Sequence, residues 1–129
     1  MAKVILVIDD DMLVARTLRR LLSHEGYNVI TALSGIKALA LIKRYDFDLI
    51  VSDIKMPKMD GIETVRKIRE YLAQNFKKPI PEIFITAYAK EEIFQKALQL
   101  KAAGYVEKPF DVKMLLKITK ETIEKKDHC

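Results

Sequence analysis

The order of hydrophobic and polar residues at the start of the chain predicts a buried strand followed by an amphipathic helix. The run from Val4 to Ile8 is continuously apolar and rich in β-branched residues, which is typical of a strand buried on both faces. Val14, Leu18 and Leu22 then recur at helical spacing, with arginines on another face. Gly26 follows and is expected to end this helix.

The same two patterns alternate to the end of the chain and predict four more strand–helix units. Ser34 is a candidate N-cap for a second helix that runs to about Arg44. Asp60 and Glu63 form a capping-box-like pair at the start of the third helix, and the fourth is expected to stop near Gly104. The remaining predicted strands are Asn28–Thr31, Leu49–Val51, Ile83–Ile85 and Tyr105–Val106; the fourth helix carries Ile93, Ala97 and Leu100, and the fifth begins near Asp111.

This alternation predicts an α/β fold. Five strand–helix units, (βα)5, are typical of a doubly wound five-stranded parallel sheet with helices on both faces and right-handed connections. No linker or low-complexity tract interrupts the pattern, and 129 residues fit a single domain. We therefore expect one domain over residues 1–129, with a tail that frays from about residue 125.

Composition excludes some classes of protein. Half of the residues are hydrophobic, so the chain can bury a core and is not expected to be disordered. No apolar run approaches the roughly 18 residues that a transmembrane helix needs, and no secretory signal is visible. The only cysteine is Cys129, so an internal disulfide cannot form, which is usual in a reducing cytosol. We expect a cytoplasmic protein without a membrane partner.

The charge distribution is informative at one place. The net charge is +5, but the basic residues are spread over several predicted helix faces without interleaved aromatic residues, and we expect no direct nucleic-acid binding. Asp9, Asp10 and Asp11 are consecutive acids in this basic chain. Taken alone, they are explained equally well as helix N-terminal acids or as ligands of a divalent cation. One acid suffices for a cap, and Asp11 is the best placed for that role.

Polar residues collect at the carboxyl ends of the predicted strands. Asp9 and Asp10 follow the first strand, Asp53 follows the third, Thr86 the fourth and Lys108 the fifth. The carboxyl ends of parallel strands share one edge of the sheet, where open α/β sheets bind ligands. Each residue alone is an ordinary strand-end or loop residue, but their common position predicts a site at this edge.

The residue types at this edge suit phosphoryl transfer. Clustered carboxylates raise one another's pKa unless a cation compensates them, and Mg²⁺ prefers such oxygen ligands. An aspartate can act as a nucleophile and form an acyl phosphate. An ammonium such as that of Lys108 and a hydroxyl such as that of Thr86 can stabilise charge on the phosphoryl oxygens. We therefore predict phosphoryl transfer to Asp53.

Five motifs in order resemble the receiver domains of two-component response regulators, and the resemblance covers essentially the whole chain. Each motif alone is weak, but their order and spacing together are specific. The resemblance implies a flavodoxin-like receiver fold of the chemotaxis-regulator type, with sheet order 2-1-3-4-5. The motifs are Ile8–Asp11, Asp48–Pro57, Met59–Gly61, Ile85–Ala87 and Lys108–Phe110.

The resemblance also implies a metal site and a phosphoacceptor. Asp53 would be the phosphoacceptor and a metal ligand, and Asp10 would bind Mg²⁺ directly. Asp9 would act largely through water, and Lys55 would add only its backbone carbonyl. Mn²⁺ is a possible substitute for Mg²⁺.

Further roles follow from the same resemblance. Lys108 would pair with the phosphoryl group, Thr86 would follow it on activation, and Tyr105 would be the aromatic residue that turns inward when Thr86 moves. The Lys108–Pro109 peptide bond is expected to be cis.

The resemblance implies partners as well. A histidine kinase or a phosphotransfer protein would donate the phosphoryl group. A downstream protein or an attached output domain would contact the face formed by helix 4, strand 5 and helix 5, and phosphorylation could produce a homodimer. The protein would be a switch that assists its own phosphorylation and dephosphorylation, with no external substrate.

Two other functions and one departure from the family pattern remain open. A phosphohydrolase with an aspartate nucleophile needs an acid two residues further on, where this chain has Lys55, and a flavin-binding module needs a hydroxyl-rich phosphate loop, where it has three acids. The segment from Ala73 to Pro81 makes the connection between helix 3 and strand 4 longer than usual in the family. It could form a partner surface, but a plain insertion is the simpler interpretation.

Overall fold

The structure is a computed structural model that describes residues 2–87 and 91–127. Within this part of the chain, five strands and five helices alternate, and every strand–helix unit predicted from the hydrophobic pattern is present. In chain order the elements are β1 (Val4–Ile8), α1 (Met12–His24), β2 (Asn28–Ala32), α2 (Gly35–Arg44), β3 (Leu49–Asp53), α3 (Gly61–Gln74), β4 (Glu82–Thr86), α4 (Glu92–Gln99), β5 (Gly104–Glu107) and α5 (Val112–Asp127).

The strands form one parallel sheet in the order β2-β1-β3-β4-β5, which confirms the predicted fold class and strand order. The three central strands are β1, β3 and β4, and almost all of their residues are buried. This burial explains their apolar runs, because a strand covered by helices on both faces cannot alternate apolar and polar side chains.

Alternate residues of the central strands face opposite sides of the sheet and belong to two separate layers of the hydrophobic core. Ile5 and Val7 of β1 pack with side chains of α1 and α5 on one face. Leu6 and Ile8 pack with α2 and α3 on the other face, where α4 also covers the sheet beside Phe84. Each such aliphatic side chain contributes about 1.5–3 kcal/mol by leaving water, so the sheet is held firmly between its two helical layers.

Aspartate and serine side chains cap most of the helices. Asp11 Oδ1 accepts a hydrogen bond from the backbone N–H of Leu13 at 2.9 Å, and Ser34 Oγ accepts one from Lys37 at 3.1 Å. Asp60 caps α3 and Asp111 caps α5 in the same way. These contacts confirm the expected starts of the helices, including the capping role of Asp11.

The end of α4 differs from the sequence prediction. We expected this helix to stop near Gly104, but α4 ends at Gln99, and Lys101 adopts a left-handed conformation with φ of 52°. Gly104 is instead the first residue of β5, where a β-carbon would overlap the side chain of Ile118 on α5. The glycine therefore serves close packing between helix and sheet.

The last helix reaches the end of the described residues. α5 continues as a helix to Asp127, and fraying of the tail from about residue 125 stays a prediction. Lys126 Nζ lies 3.2 Å from Asp48 Oδ1, and Lys3 Nζ lies 3.0 Å from Asp127 Oδ1. These ion pairs join the last turn of α5 to the amino end of the sheet. They could not be predicted from the sequence of the tail alone, because their partners lie in other segments. His128 and Cys129 lie outside the described residues.

In the described part of the chain, no helix combines the length and the apolar character needed to cross a membrane.

Candidate functional site

The carboxyl edge of the sheet brings together residues from distant parts of the chain. Ile8 of β1 pairs with Ser52 of β3, so the next residues, Asp9 and Asp53, lie side by side at the carboxyl edge of the sheet. Thr86 ends β4, and Lys108 directly follows the last residue of the neighbouring β5. The shared edge that the strand pattern predicted is therefore present in the fold.

Three carboxylates form a compact cluster at this edge. Oxygen atoms of Asp9, Asp10 and Asp53 all lie within 4.8 Å of one another. Asp9 and Asp53 are 1% and 7% exposed, whereas Asp10 lies at the surface. Mg²⁺ binds such oxygens at about 2.0–2.1 Å and keeps several waters, so a cluster with two buried acids and one exposed acid offers it ligands and a solvent side. The donor set therefore fits Mg²⁺.

Lys108 is the cation of the site. Its Nζ lies 3.1 Å from Asp9 Oδ2 and 3.5 Å from Asp53 Oδ2. Its backbone N–H donates to the carbonyl of Thr86 at 2.7 Å, which ties the segment after β5 to the end of β4. The Lys108–Pro109 peptide bond is cis, as the resemblance implied.

The electrostatic state of Asp53 follows from its surroundings. Burial, and then the negative charge of Asp9, raise the pKa of Asp53 to about 6, although the positive charge of Lys108 opposes this rise. Burial lowers the pKa of Lys108, but Asp53 and Asp9 together outweigh it and leave the pKa above its ordinary value. One ammonium therefore compensates three carboxylates only in part, and a divalent cation would complete the balance.

The backbone around Asp53 holds its carboxylate in place. Asp53 Oδ1 accepts a hydrogen bond from the N–H of Ile54 at 2.9 Å. The N–H of Gly61, at the start of α3, donates to the carbonyl of Ile54 at 2.6 Å. A β-carbon at Gly61 would overlap the carbonyl oxygen of Asp53, so only glycine allows this close approach. The role of Gly61 was not predicted from its motif, because the contact joins two segments.

The neighbouring acids have different local partners. Asp9 Oδ1 accepts a hydrogen bond from the N–H of Asp11 at 2.9 Å, while its Oδ2 faces Lys108. Asp11 turns away to cap α1 and is not a member of the carboxylate cluster. The run of three acids therefore divides into two cluster members and one cap.

Thr86 and Tyr105 occupy neighbouring strands but differ in their surroundings. Thr86 is buried at the end of β4. The Tyr105 hydroxyl donates to the carbonyl of Ala97 at 2.9 Å and accepts from the N–H of Ala102 at 3.0 Å. Its ring lies 6.0 Å from that of Phe84 and meets Phe94 edge-on, 5.7 Å between centroids. The structure thus links Tyr105 to the carboxyl end of α4, and the part played by Phe94 was not predicted.

Lys55 contributes a contact beside the site. Its Nζ lies 3.5 Å from Glu91 Oε2, with both side chains about half exposed. Glu91 is the N-cap residue of α4, so this ion pair joins the segment after β3 to that helix. An exposed pair of this kind contributes little to stability, on the order of 0–1 kcal/mol.

Comparisons with known proteins agree with this geometry. A family model described as the response regulator receiver domain matches residues 5–120. The chemotaxis protein CheY of Treponema pallidum (strain Nichols) is 41% identical over 115 residues, which cover 87% of this chain and 76% of that protein. The probable transcriptional regulator ycf29 of Porphyra purpurea is 36% identical over 121 residues, which cover 92% of this chain and 56% of that protein.

Solved structures share the whole fold. The crystal structure of a CheY-like response regulator receiver domain protein from Methanospirillum hungatei JF-1 has a TM-score of 0.88 at 30% identity, and the match covers 99% of this chain and 98% of that chain. The chain spans little more than half of the ycf29 protein, so these likenesses concern the domain and not the activities of longer proteins.

Proposed function

Since the chain belongs to the response regulator receiver domain family, we propose that Asp53 accepts a phosphoryl group and that the whole chain, residues 1–129, acts as one cytoplasmic phosphoacceptor switch. The observation that carries this proposal is the position of Asp53, which is buried beside Asp9 and Asp10 and lies 3.5 Å from the ammonium of Lys108. A nucleophilic carboxylate beside further acids and an ammonium is the set of groups that phosphoryl transfer needs.

Receiver domains bind Mg²⁺ at an acidic pocket, and the residues here fit that ion. Asp10 and Asp53 would be direct ligands, Asp9 would act through water and the backbone carbonyl of Lys55 would complete the set; Mn²⁺ is a substitute with similar ligands. When bound, the ion neutralises charge on the phosphoryl oxygens.

The positions of the chain's own residues support the following steps. A carboxylate oxygen of Asp53 attacks the phosphorus of a phosphohistidine on a histidine kinase or a phosphotransfer protein. The P–N bond breaks, a P–O bond to Asp53 forms, and the histidine nitrogen leaves with the electron pair of the broken bond. Lys108 pairs with an oxygen of the transferred group, and the hydroxyl of Thr86 donates to another.

The switch would then run through Thr86 and Tyr105. Thr86 follows the phosphoryl group, and Tyr105 responds because the two residues lie on adjacent paired strands. The Tyr105 hydroxyl is bonded to the end of α4, so a change at this residue alters the face formed by α4, β5 and α5. Phosphorylation would shift the population between two states of that face. A downstream protein, an output domain or a second copy of the chain would respond to this shift.

Incubation with a small phosphodonor and Mg²⁺ tests the proposal. Mass spectrometry should find one added phosphoryl group on the wild type and none on Asp53→Asn, while Asp46→Asn serves as a matched control at a fully exposed acid. Equal labelling of Asp53→Asn would refute the assignment. Steady turnover of a generic aryl phosphate would instead favour a phosphohydrolase, against the expectation that no external substrate is processed.

A further inference from the structure

A groove lies at the amino edge of the sheet, opposite the carboxylate cluster. It has a volume of about 890 Å³ and is bounded by the ends of α3, α4 and α5, by the segment before β4 and by the segment before β5. Its apolar wall includes Leu72, Ile80, Leu100 and Ile118. Volumes of about 300–1,000 Å³ with mostly apolar walls are typical of binding clefts. None of the residues that line this groove belongs to the carboxylate cluster.

The rim of the groove carries lysines that are not engaged in ion pairs with any described residue. Five basic and two acidic side chains line it. One of the acids, Glu82, is buried and held by Arg69 through two hydrogen bonds of 2.7 and 2.8 Å. Lys101 and Lys125 have no ion-pair partner in residues 2–87 and 91–127. Lys77 and Lys126 are paired with Asp46 and Asp48, and Glu121 is the second acid of the lining. The positive charge at the apolar wall that no ion pair among the described residues engages is therefore that of Lys101 and Lys125.

Helix termini explain part of this charge but not all of it. The negative ends of three helix dipoles converge here, and cations near a helix carboxyl end are favourable. This attraction explains why lysines lie at the surface near the helix ends. It does not explain why an open apolar cleft lies between them. The lysine charges are accordingly available to a bound partner as well.

Phe76 adds an aromatic side chain to this edge. It lies in the long connection between α3 and β4, between the groove residues Ala73 and Lys77, and its side chain is 98% exposed. Its φ of 57° is in the left-handed region, where a bulky residue is unfavourable and glycine is preferred. Phe76 thus gains nothing from burial and fits its backbone poorly, so the fold does not explain its identity. Exposed aromatic residues of this kind are enriched at protein interfaces.

We infer that this basic groove, extended by Phe76, binds an acidic segment of a partner protein that places an apolar side chain between the lysines. The apolar wall receives the anchor, Lys101 and Lys125 pair with carboxylates around it, and Phe76 covers the anchor from the side. Complementary charge of this kind mainly sets specificity and the rate of association. The site is independent of the phosphoacceptor at the opposite edge and gives the long connection a function that a plain insertion lacks.

Labelled synthetic peptides test this inference with the full chain. The probe is a fluorescein-labelled peptide in which glutamates surround two leucines spaced by one helical turn, and the control is the same peptide with glutamine in place of every glutamate. Fluorescence anisotropy should report binding of the acidic peptide that weakens as salt is added, and amide chemical shifts in NMR should move at the groove. Equal binding of the neutral peptide, or shifts confined to the carboxyl edge, would overturn the inference.

Variants of the chain sharpen the test. Lys125→Glu should weaken binding of the acidic peptide about tenfold, whereas Lys117→Glu, at an exposed lysine of the same helix outside the groove, should change it less than about twofold. Phe76→Gly should weaken binding about fivefold and raise resistance to urea, because glycine accepts the positive φ. Equal effects of the two lysine variants would indicate nonspecific attraction and overturn the inference.

A small amphiphile tests whether the groove binds a small molecule with a carboxylate and an apolar chain instead of a protein segment. Decanoate carries a carboxylate on an apolar chain without being a protein segment. If decanoate moves the groove resonances and the acidic peptide does not, the groove is a small-molecule site, and the proposed partner is wrong.

Discussion

Lys108 and Asp9 lie at opposite ends of the sequence, yet the ammonium of Lys108 is 3.1 Å from a carboxylate oxygen of Asp9. Both residues follow strands that end at the carboxyl edge of the sheet, which brings them together across β3 and β4, and the same ammonium is 3.5 Å from Asp53. Lys108 is thus the one ammonium within ion-pair distance of Asp9 and Asp53 among the described residues.

Removal of this cation should slow phosphorylation. Lys108→Met keeps the length of the side chain but leaves the developing charge on the phosphoryl oxygens without its partner, and we expect the rate to fall about 10²-fold. Rapid mixing with a small phosphodonor and Mg²⁺ would measure the rate. Lys117→Met, on an exposed face of α5, is the control and should react like the wild type.

Loss of one acid should weaken metal binding. Asp10→Asn removes a charged ligand from the cluster, and we expect the affinity for Mg²⁺ to fall about tenfold or more. Asp11→Asn is the matched control, because asparagine still caps α1 and Asp11 is not in the cluster. Titration calorimetry would compare the two, and a similar loss in both variants would contradict the proposed ligand set.

Ionisation of Asp53 should destabilise the metal-free protein. The pKa of Asp53 is raised to about 6 in the folded state, so the folded state binds more protons than the unfolded state between about pH 4 and pH 6. Protonation of Asp53 therefore stabilises the folded state at low pH. This stabilisation is lost as the pH rises through that range. Asp53→Asn removes the effect and should be more stable than the wild type by about 2 kcal/mol at pH 7.5 without metal. At pH 4 most of this difference should disappear.

Urea unfolding with a chelator at the two pH values measures the Asp53 effect. Asp46→Asn, at a fully exposed carboxylate, is the control. A wild type as stable as Asp53→Asn at pH 7.5 would mean that the cluster does not strain the fold. Added Mg²⁺ should stabilise the wild type, because it binds the folded state.

A methyl group at Gly61 should disturb the phosphoacceptor directly. Gly61→Ala would push its β-carbon onto the carbonyl oxygen of Asp53, and we expect a loss of about 2 kcal/mol in the free energy of unfolding together with slower phosphorylation. Gly26→Ala is the control, since Gly26 has a φ of 95° but open space around it. That variant should lose about 1 kcal/mol from backbone strain and keep the wild-type phosphorylation rate.

The Tyr105 hydroxyl should stabilise the end of α4. Tyr105→Phe keeps the ring contacts but loses the hydrogen bonds to Ala97 and Ala102, at a cost of about 1–2 kcal/mol. Hydrogen exchange should become faster at the Ala102 amide. Tyr71→Phe serves for comparison, because the Tyr71 hydroxyl has no hydrogen-bond partner in the described part of the chain. Unchanged exchange at the Ala102 amide would mean that the Tyr105 hydroxyl does not stabilise the end of α4.

Sequence reasoning succeeded where the signal is local. The apolar run of β1, the caps at Asp11 and Ser34 and the helical spacing of α1 depend on neighbouring residues, so each could be predicted from its own segment. It failed at the end of α4, because a left-handed Lys101 ends the helix where glycine was expected. The ion pair between Lys126 and Asp48 at the carboxyl end of α5 joins two distant segments, so neither segment alone could predict it.

The sequence by itself determined the order of strands and helices and therefore which residues stand at strand ends, because hydrophobic periodicity is a property of each segment. Only the tertiary structure decided which of those residues meet. The distances from Lys108 to Asp9 and Asp53, the approach of Gly61 to Asp53 and the basic groove beside Phe76 all arise from packing between segments far apart in the chain. Such contacts depend on how helices pack against the sheet, which no single segment encodes.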